Sequence, residues 1–262
     1  MTTEKTAFPV VPRVVYADNP LVDVLAQLRF PPVLRVDAEL PTAFQDALRS
    51  DYPEVQQTVM SLHGPATTGP GLQRTPAPTQ SRYEFISSDS AWRVALTRDF
   101  VALTTTSYRR WEEFHRRLQS VVEVLGRVYK VPYLSRIGLR YRDVVLRSKL
   151  GLEGSPWSSL LRRDLLGALA VEELTIQEAT SRFVAPLPYD QSKMIVSHGL
   201  AEHPEFKELG YLIDADFFTS SRVTLEDYSA VISRFNRESG RFFRWCITDI
   251  LHEAMRPGVV GE

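Results

Sequence analysis

Residues 101–107 read Val-Ala-Leu-Thr-Thr-Thr-Ser, and an amphipathic segment from Tyr108 to about Tyr129 follows them. The same order recurs later in the chain. Residues 211–220 read Tyr-Leu-Ile-Asp-Ala-Asp-Phe-Phe-Thr-Ser, and a second amphipathic segment runs from about Thr224 to Glu253. Each time, an apolar run of strand character leads through a Thr/Ser-rich turn into apolar residues at helical spacing. A pattern used twice predicts an internal duplication.

The segments around these two stretches extend the repeat. The first half supplies strands at 21–30, 82–87, 91–97 and 100–106 and a helix at 41–50, and the second supplies strands at 135–146, 174–185, 192–200 and 210–218 and a helix at 156–169. The sequence therefore predicts an α+β fold of tandem duplicated βαβββα units, with a mostly antiparallel sheet and two long helices packed on one face. This arrangement is similar to duplicated TATA-binding-like and helix-grip folds.

The predicted organisation has four parts. An extended N-terminal arm covers 1–19, the first unit 20–130, the second unit 131–256 and a tail 257–262. Three clusters of Gly and Pro fall between about 61 and 80, which predicts a mobile surface loop inside the first unit.

Composition favours a globular protein outside the membrane. The chain is 44% apolar and 24% charged, and no apolar run approaches the roughly 18 residues of a membrane span. The N-terminus lacks the pattern of a secretory signal, and a single cysteine, Cys246, suits a reducing compartment. We therefore expect a cytoplasmic protein.

No motif for a cofactor, a metal or a catalytic constellation is present. The five histidines show no ligand spacing, and the chain has no Gly-rich phosphate loop and no Cys-x-x-Cys pair. The sequence predicts neither a metal nor a cofactor, and it leaves enzymatic activity uncertain but favours a non-enzyme.

Basic residues are concentrated between Arg98 and Lys149, where 12 Lys/Arg stand against 5 Asp/Glu; the rest of the chain holds 19 against 27. Such a segment either presents a basic face to an anionic partner or pairs internally with the acidic remainder. In the first case, four arginines on one helix face would contact phosphates: Arg109, Arg110, Arg116 and Arg117.

Two predicted strands carry charge on alternate positions. Arg136, Arg140 and Arg142 share one face of their strand, and Asp214 and Asp216 share one face of theirs. The paired carboxylates could hold a cation or act as acid and base, but cross-strand pairing with the arginines is the favoured interpretation. A polar face of this kind is also a candidate surface for a peptide or nucleic acid.

Three segments resemble a sporadically distributed family of uncharacterised bacterial proteins. They are Asn-Pro-Leu-Val-Asp-Val at 19–24 leading to Leu-Arg-Phe at 28–30, Arg-Ile-Gly-Leu-Arg-Tyr at 136–141, and Ile-Thr-Asp at 247–249. The resemblance spans most of the chain and implies an accessory bacterial gene carried with mobile or defence loci. It supplies no activity, cofactor or catalytic residue.

The functional hypotheses are three. The first is a non-enzymatic cytosolic binding or adaptor protein that acts through a protein partner or its own copy. The second is nucleic-acid binding by the basic segment 98–149. The third is an enzyme or metal site centred on Asp214 and Asp216.

Overall fold

The computed structural model describes residues 6–61, 79–171, 173–189, 191–202 and 207–259. Its strands are β1 (Val14–Tyr16), β2 (Leu21–Arg29), β3 (Glu54–Ser61), β4 (Thr79–Ile86), β5 (Trp92–Leu96), β6 (Phe100–Thr105), β7 (Arg136–Val145), β8 (Thr180–Pro186), β9 (Lys193–Glu202), β10 (Leu209–Thr219) and β11 (Pro257–Val259). Its α-helices are α1 (Arg35–Ala38), α2 (Thr42–Leu48), α3 (Trp111–Tyr129), α4 (Trp157–Leu160), α5 (Arg163–Leu166), α6 (Tyr228–Cys246) and α7 (Asp249–Ala254), with 3₁₀ turns at Ser148–Leu150 and Gly167–Ala170.

A large antiparallel sheet organises the molecule. In the described residues nine strands pair in the order β3-β4-β5-β6-β2-β7-β10-β9-β8, and every neighbouring pair is antiparallel. The predicted α+β class with a mostly antiparallel sheet is confirmed, and the strands predicted at 82–87, 91–97 and 100–106 form a meander, β4 to β6. The central pair is β2 with β7, the first predicted strand of each half.

Alternation along the strands separates a buried face from an open one. On β7, Ile137, Leu139 and Val145 are fully buried, while the arginines between them are partly exposed. On β10, Ile213 and Phe217 are likewise buried. Removing each such side chain from water contributes about 1.5–3 kcal/mol, so the register that puts them inside is strongly favoured.

The two long helices supply much of the core. Helix α3 buries Phe114, whose ring lies 6.0 Å from that of Trp92 on β5. Helix α6 packs on β7 and β10 and buries Ile232, Phe235 and Phe242.

The predicted long helix from 224 to 253 is wrong in its continuity. Helix α6 ends at Cys246, Ile247 is extended, and Thr248 caps α7 by accepting a hydrogen bond from the backbone N–H of Leu251. Ile247 bridges to Leu161, and the Thr248 hydroxyl donates to the carbonyl of Ser159, 2.7 Å away. These contacts with a distant segment interrupt the helix, and a local pattern cannot show them.

Other predicted elements also differ. The helix at 156–169 is two single-turn helices and a 3₁₀ turn, because Leu161 is extended to form the bridge just described. The strand at 174–185 begins only at Thr180. The first half contains an additional edge strand, β3, and two short helices before it, so its order is βααββββα rather than βαβββα. The loop predicted at about 61–80 lies almost wholly outside the described residues.

The N-terminal segment lies against the body of the protein. Strand β1 pairs with β11 in a separate two-stranded sheet, so the segment predicted as a tail is partly a strand. The ring of Phe8 lies 5.1 Å from that of Phe242 and 5.8 Å from that of Trp245, both on α6. Arg13 forms a two-pronged ion pair with Glu112 at the start of α3.

Candidate functional site

The charged residues predicted to share a strand face do meet at the centre of the open face. Together with one residue of β2 they form what we call the Arg–Asp cluster: Asp23, Arg136, Arg140, Arg142, Asp214 and Asp216. Each arginine in it pairs with one aspartate, and Arg142 pairs with Asp23. The predicted cross-strand pairing is therefore present.

Two of these pairs are diagonal to the strand register. Nε of Arg140 donates to Oδ1 of Asp214 over 2.6 Å, although Arg140 stands opposite Asp216. Nη2 of Arg136 lies 2.7 Å from Oδ2 of Asp216. Burial raises the pKa of Asp216, and the neighbouring guanidinium of Arg136 opposes that rise.

Glycine at position 138 lets Arg136 lie flat along the sheet. A Cβ at Gly138 would stand 2.5 Å from Nη1 of Arg136. In this position the guanidinium also lies over the ring of Phe218, 4.6 Å from its centroid, and contacts Gln27 Oε1 at 3.3 Å. Arg136 is therefore fixed by partners on both neighbouring strands.

The Arg–Asp cluster borders a shallow depression of about 170 Å³, completed by Ile195 and Ser197 of β9. Because every carboxylate in the cluster already has a guanidinium partner, neither a cation nor a substrate proton meets an unpaired acidic group there. Partly exposed ion pairs of this type contribute about 0–1 kcal/mol each.

The four arginines predicted to contact phosphate divide into two groups. Arg117 stacks over Trp92, 4.5 Å from its ring centroid, and pairs with Glu113 at 3.6 Å. Arg109 and Arg110 are exposed just before α3, and neither guanidinium group forms a hydrogen bond or ion pair within the described residues. Arg116 is exposed one helical turn further on.

A second, much larger cavity lies on the other side of the sheet. It has a volume of about 410 Å³ and is enclosed by the N-terminal segment 11–16, the start of β2, strands β7 and β10, the start of α3 and helix α6. Most of its lining is apolar. We call it the arm cavity because the segment before β2 forms one of its walls.

Asp143 lies in the floor of the arm cavity. Its side chain follows Ile137, Leu139 and Tyr141 on the buried face of β7, and the residue is only 6% exposed. No hydrogen bond to its carboxyl group occurs within the described residues. Burial, reinforced by the charges of Asp214 and Asp23, raises the pKa of Asp143 to about 8. At pH 7 the group is therefore a neutral carboxylic acid with one donor and one acceptor.

Polar groups of β7, of α6 and of the segment before α3 line the same cavity as this acid. Tyr141 donates its hydroxyl hydrogen to Oδ1 of Asn236 on α6 over 2.8 Å, which leaves the Asn236 amide N–H₂ as a donor. The rings of Tyr108 and Tyr141 meet edge to face at 5.8 Å. Burial raises the pKa of Tyr108 to about 12, so its hydroxyl stays protonated.

The arm holds the rim of this cavity in place. The Arg13 hydrogen bonds lower the pKa of Glu112 to about 2, so the pair persists across the physiological range. Tyr16 contacts Nδ1 of His252 through its hydroxyl, 2.8 Å away, and burial raises the pKa of Tyr16 to about 12. The wall formed by residues 11–16 is thus attached at both ends.

Asp143 and the arm were not among the residues predicted to form a site. A signal for Asp143 existed, because it is the next in-phase residue after Ile137, Leu139 and Tyr141 on the apolar face of the strand, opposite the arginines. A carboxyl group at such a position requires a partner or a raised pKa. The arm carries no periodic pattern, so no comparable signal exists for it.

Cys246 lies close to the arm cavity, but its thiol is not placed to react. The residue is fully buried, and burial raises the pKa of its thiol well above the ordinary value. A protonated, inaccessible thiol is a weak nucleophile. Within the described residues, no group of three or more His, Cys, Asp or Glu side chains is placed to hold a metal ion.

The comparisons with known proteins leave the structure as the basis for inference. The chain matches no protein-family model, no curated protein and no solved structure. None of the helices in the described ranges has both the length and the apolar character needed to cross a membrane.

Proposed function

We propose that the protein is a non-enzymatic binding protein and that the arm cavity is its binding site. The observation that carries the proposal is Asp143, a buried acid in the floor of a large, mostly apolar cavity, to which no side chain or backbone group of the described residues forms a hydrogen bond. Unpartnered buried polar groups cost roughly 1–3 kcal/mol, and a ligand that bonds to them recovers that free energy.

A fluorescent aromatic anion tests whether this cavity takes up a ligand. The probe is 8-anilinonaphthalene-1-sulfonate, which combines an apolar ring system with one negative charge. Gly240 of α6 lines the cavity, and a Cβ there would meet no atom within 4 Å. We therefore expect Gly240→Trp to fold, to occupy part of the cavity, and to weaken probe binding at least tenfold relative to wild type.

The matched control is Gly240→Ala, which adds only a methyl group. It should bind the probe as wild type does and gain about 0.5–1 kcal/mol of stability from improved helix propensity. Equal probe binding by wild type and Gly240→Trp would contradict the proposal.

A protein partner is a second candidate, favoured by the exposed edge of β3. No other strand in the described part of the chain pairs with its outer side, and Val55 and Val59 are 42% and 60% exposed. Antiparallel pairing of two β3 strands about Gln57 would set Val55 of one copy opposite Val59 of the second. We propose a homodimer formed in this way.

Sedimentation velocity measures this assembly directly. Wild type should sediment as a dimer at micromolar concentration and Val59→Lys as a monomer, because two charges would enter the strand pair. Val184→Lys places the same change on the opposite edge strand, β8, and should remain dimeric. A wild-type monomer, or a Val59→Lys dimer, would rule out the β3 interface.

We also infer that the two halves are copies of one unit with both long helices on the same sheet face. The mirrored strand order supports this: outward from the centre, β2-β6-β5-β4 in the first half parallels β7-β10-β9-β8 in the second. Along the chain, a long helix follows the second strand of each series, α3 after β6 and α6 after β10. The arm cavity would then lie where the two units meet, between the start of α3 and the face of α6.

A cytoplasmic location and the accessory-gene context implied by the family resemblance belong to the same proposal. The lone, buried cysteine is compatible with a reducing compartment.

A further inference from the structure

At the rim of the arm cavity, two arginines form no ion pair within the described residues. Among the arginines of the lining, Arg13 pairs with Glu112, Arg241 with Glu238 and Arg244 with Asp249. Arg109 and Arg110 have no such partner in the described residues. A ligand that enters past these two arginines binds most favourably if it carries a negative charge.

The start of α3 reinforces this preference. The helix has 19 residues, and the side chain of its N-cap residue, Arg110, makes no capping hydrogen bond. Unsatisfied N–H groups and the helix dipole together favour an anion at this end. Both first-turn carboxylates are engaged elsewhere, Glu112 with Arg13 and Glu113 with Arg117.

The residues in the floor of the cavity favour a different ligand group from the anion favoured at the rim. The Asp143 acid offers one donor and one acceptor side by side, and the Asn236 amide adds further donors. A ring edge with neighbouring donor and acceptor atoms complements this arrangement, as the edges of nucleobases do. An aliphatic chain would leave Asp143 without a partner.

The walls between floor and rim are aromatic. Tyr108 and Trp111 lie on the α3 side, and Phe242 and Phe243 belong to α6. Such side chains stack on a planar base and so favour its binding. At about 410 Å³, the cavity falls within the roughly 300–1,000 Å³ of small-molecule sites.

We propose that the arm cavity binds a nucleoside monophosphate, with the base against Asp143 and Asn236 and the phosphate against Arg109, Arg110 and the first turn of α3. This inference rests on the function proposed above, since it assigns a ligand class to the same cavity. A free nucleoside lacks the charge for the rim, and inorganic phosphate lacks the ring for the floor.

Displacement of the fluorescent probe tests the ligand class on the full chain. The competitors are adenosine, guanosine, cytidine and uridine 5′-monophosphates, each against its nucleoside, with inorganic phosphate and a single-stranded RNA hexamer as further arms. At least one monophosphate should displace the probe at micromolar concentration. Its nucleoside and inorganic phosphate should each require a concentration at least tenfold higher.

Variants then assign the two ends of the ligand. Arg109→Gln and Arg110→Gln should each weaken binding of the monophosphate roughly tenfold and leave binding of the nucleoside unchanged, as expected for a charge-assisted hydrogen bond. Asp143→Asn keeps the shape but changes the donors and acceptors, so it should weaken monophosphate and nucleoside alike by about tenfold. Arg127→Gln, at the far end of α3, is the matched control and should change nothing.

The outcomes separate the two proposals. If Gly240→Trp blocks the probe but no monophosphate displaces it at millimolar concentration, the cavity is a binding site and the nucleotide assignment is wrong. Displacement by inorganic phosphate as readily as by a monophosphate, or by RNA in preference to all of them, would also overturn the assignment. If the probe does not bind wild type, titration calorimetry with the monophosphates decides the assignment directly, and absence of heat overturns it.

Discussion

Asp143→Asn should stabilise the protein at neutral pH by about 3 kcal/mol. The pKa of Asp143 rises from an ordinary 3.8 to about 8 in the folded protein. Between these values the folded protein holds a proton that the unfolded chain has released. Stability from this group is therefore complete below pH 3.8 and is lost progressively as pH rises toward 8, at up to about 1.4 kcal/mol per pH unit. The amide of Asp143→Asn does not ionise in this range, so the substitution removes this dependence of stability on pH.

The magnitude is the balance of two effects. At pH 7 the linkage amounts to roughly 4 kcal/mol, and the amide left without a full set of partners costs about 1 kcal/mol in return. The measurement is the free energy of unfolding by urea from pH 4 to pH 8, for wild type and Asp143→Asn in parallel. Their difference should grow with pH, because all other titrating groups cancel.

Asp164→Asn provides the control for this experiment. Asp164 has an exposed side chain, so its substitution should shift stability by less than about 0.5 kcal/mol at any pH. A wild-type minus Asp143→Asn difference that stays flat from pH 4 to pH 8 would mean that the carboxyl is ionised and paired in the folded state. The neutral acid on the cavity floor, and the binding chemistry assigned to it, would then be wrong.

Local sequence patterns predict the centre of the sheet well. The alternation along β7 and β10 identifies the buried residues and the Arg–Asp face, because both strands have one apolar and one charged side. The stripe on α3 identifies Phe114 and Leu118 as core residues for the same reason. Where one face of an element is buried and the other is solvated, its periodicity is sufficient.

The errors arise where that contrast is absent. Strand β3 has the sequence Glu-Val-Gln-Gln-Thr-Val-Met-Ser and lies at the sheet edge, so few apolar residues mark it. The break between α6 and α7 depends on Leu161 and Ser159, almost ninety residues away. No window of neighbouring residues contains that information.

The candidate site contains one residue that a sequence pattern marks and one segment that no pattern marks. Asp143 is visible in the sequence as a charge in phase with a buried face, whereas the paired arginines and aspartates nearby form a longer and more conspicuous pattern. The arm is different, because its contacts come from single residues such as Phe8 and Arg13 that follow no period. Its role as a cavity wall follows only from the tertiary structure.

Deletion of residues 1–18 should both destabilise the protein and open the arm cavity. The deletion removes the Phe8 ring from Phe242 and Trp245, the Arg13–Glu112 pair and the β1–β11 pairing. It also removes the Ala7 N–H that donates to Oε2 of buried Glu238 at 3.1 Å. Together these losses should lower the free energy of unfolding by about 3–5 kcal/mol, most of it from the aromatic contacts.

Two point variants test how much of the stability contributed by the arm comes from the packing of the Phe8 ring. Phe8→Ala removes a half-buried ring and should cost about 2 kcal/mol, whereas Val10→Ala, at a residue 70% exposed, should cost almost nothing. Urea unfolding measures both. If Val10→Ala costs as much as Phe8→Ala, the ring is not packed as the structure shows.

Probe binding by the same set of variants connects the arm to function. Residues 11–16 form one wall of the arm cavity, so the deletion should weaken binding of 8-anilinonaphthalene-1-sulfonate at least tenfold. This should hold even at a temperature where the shortened chain is fully folded. Phe8→Ala should weaken it less, because the wall remains while its anchor is lost. A shortened chain that is folded and binds the probe as wild type does would show that the arm encloses no site.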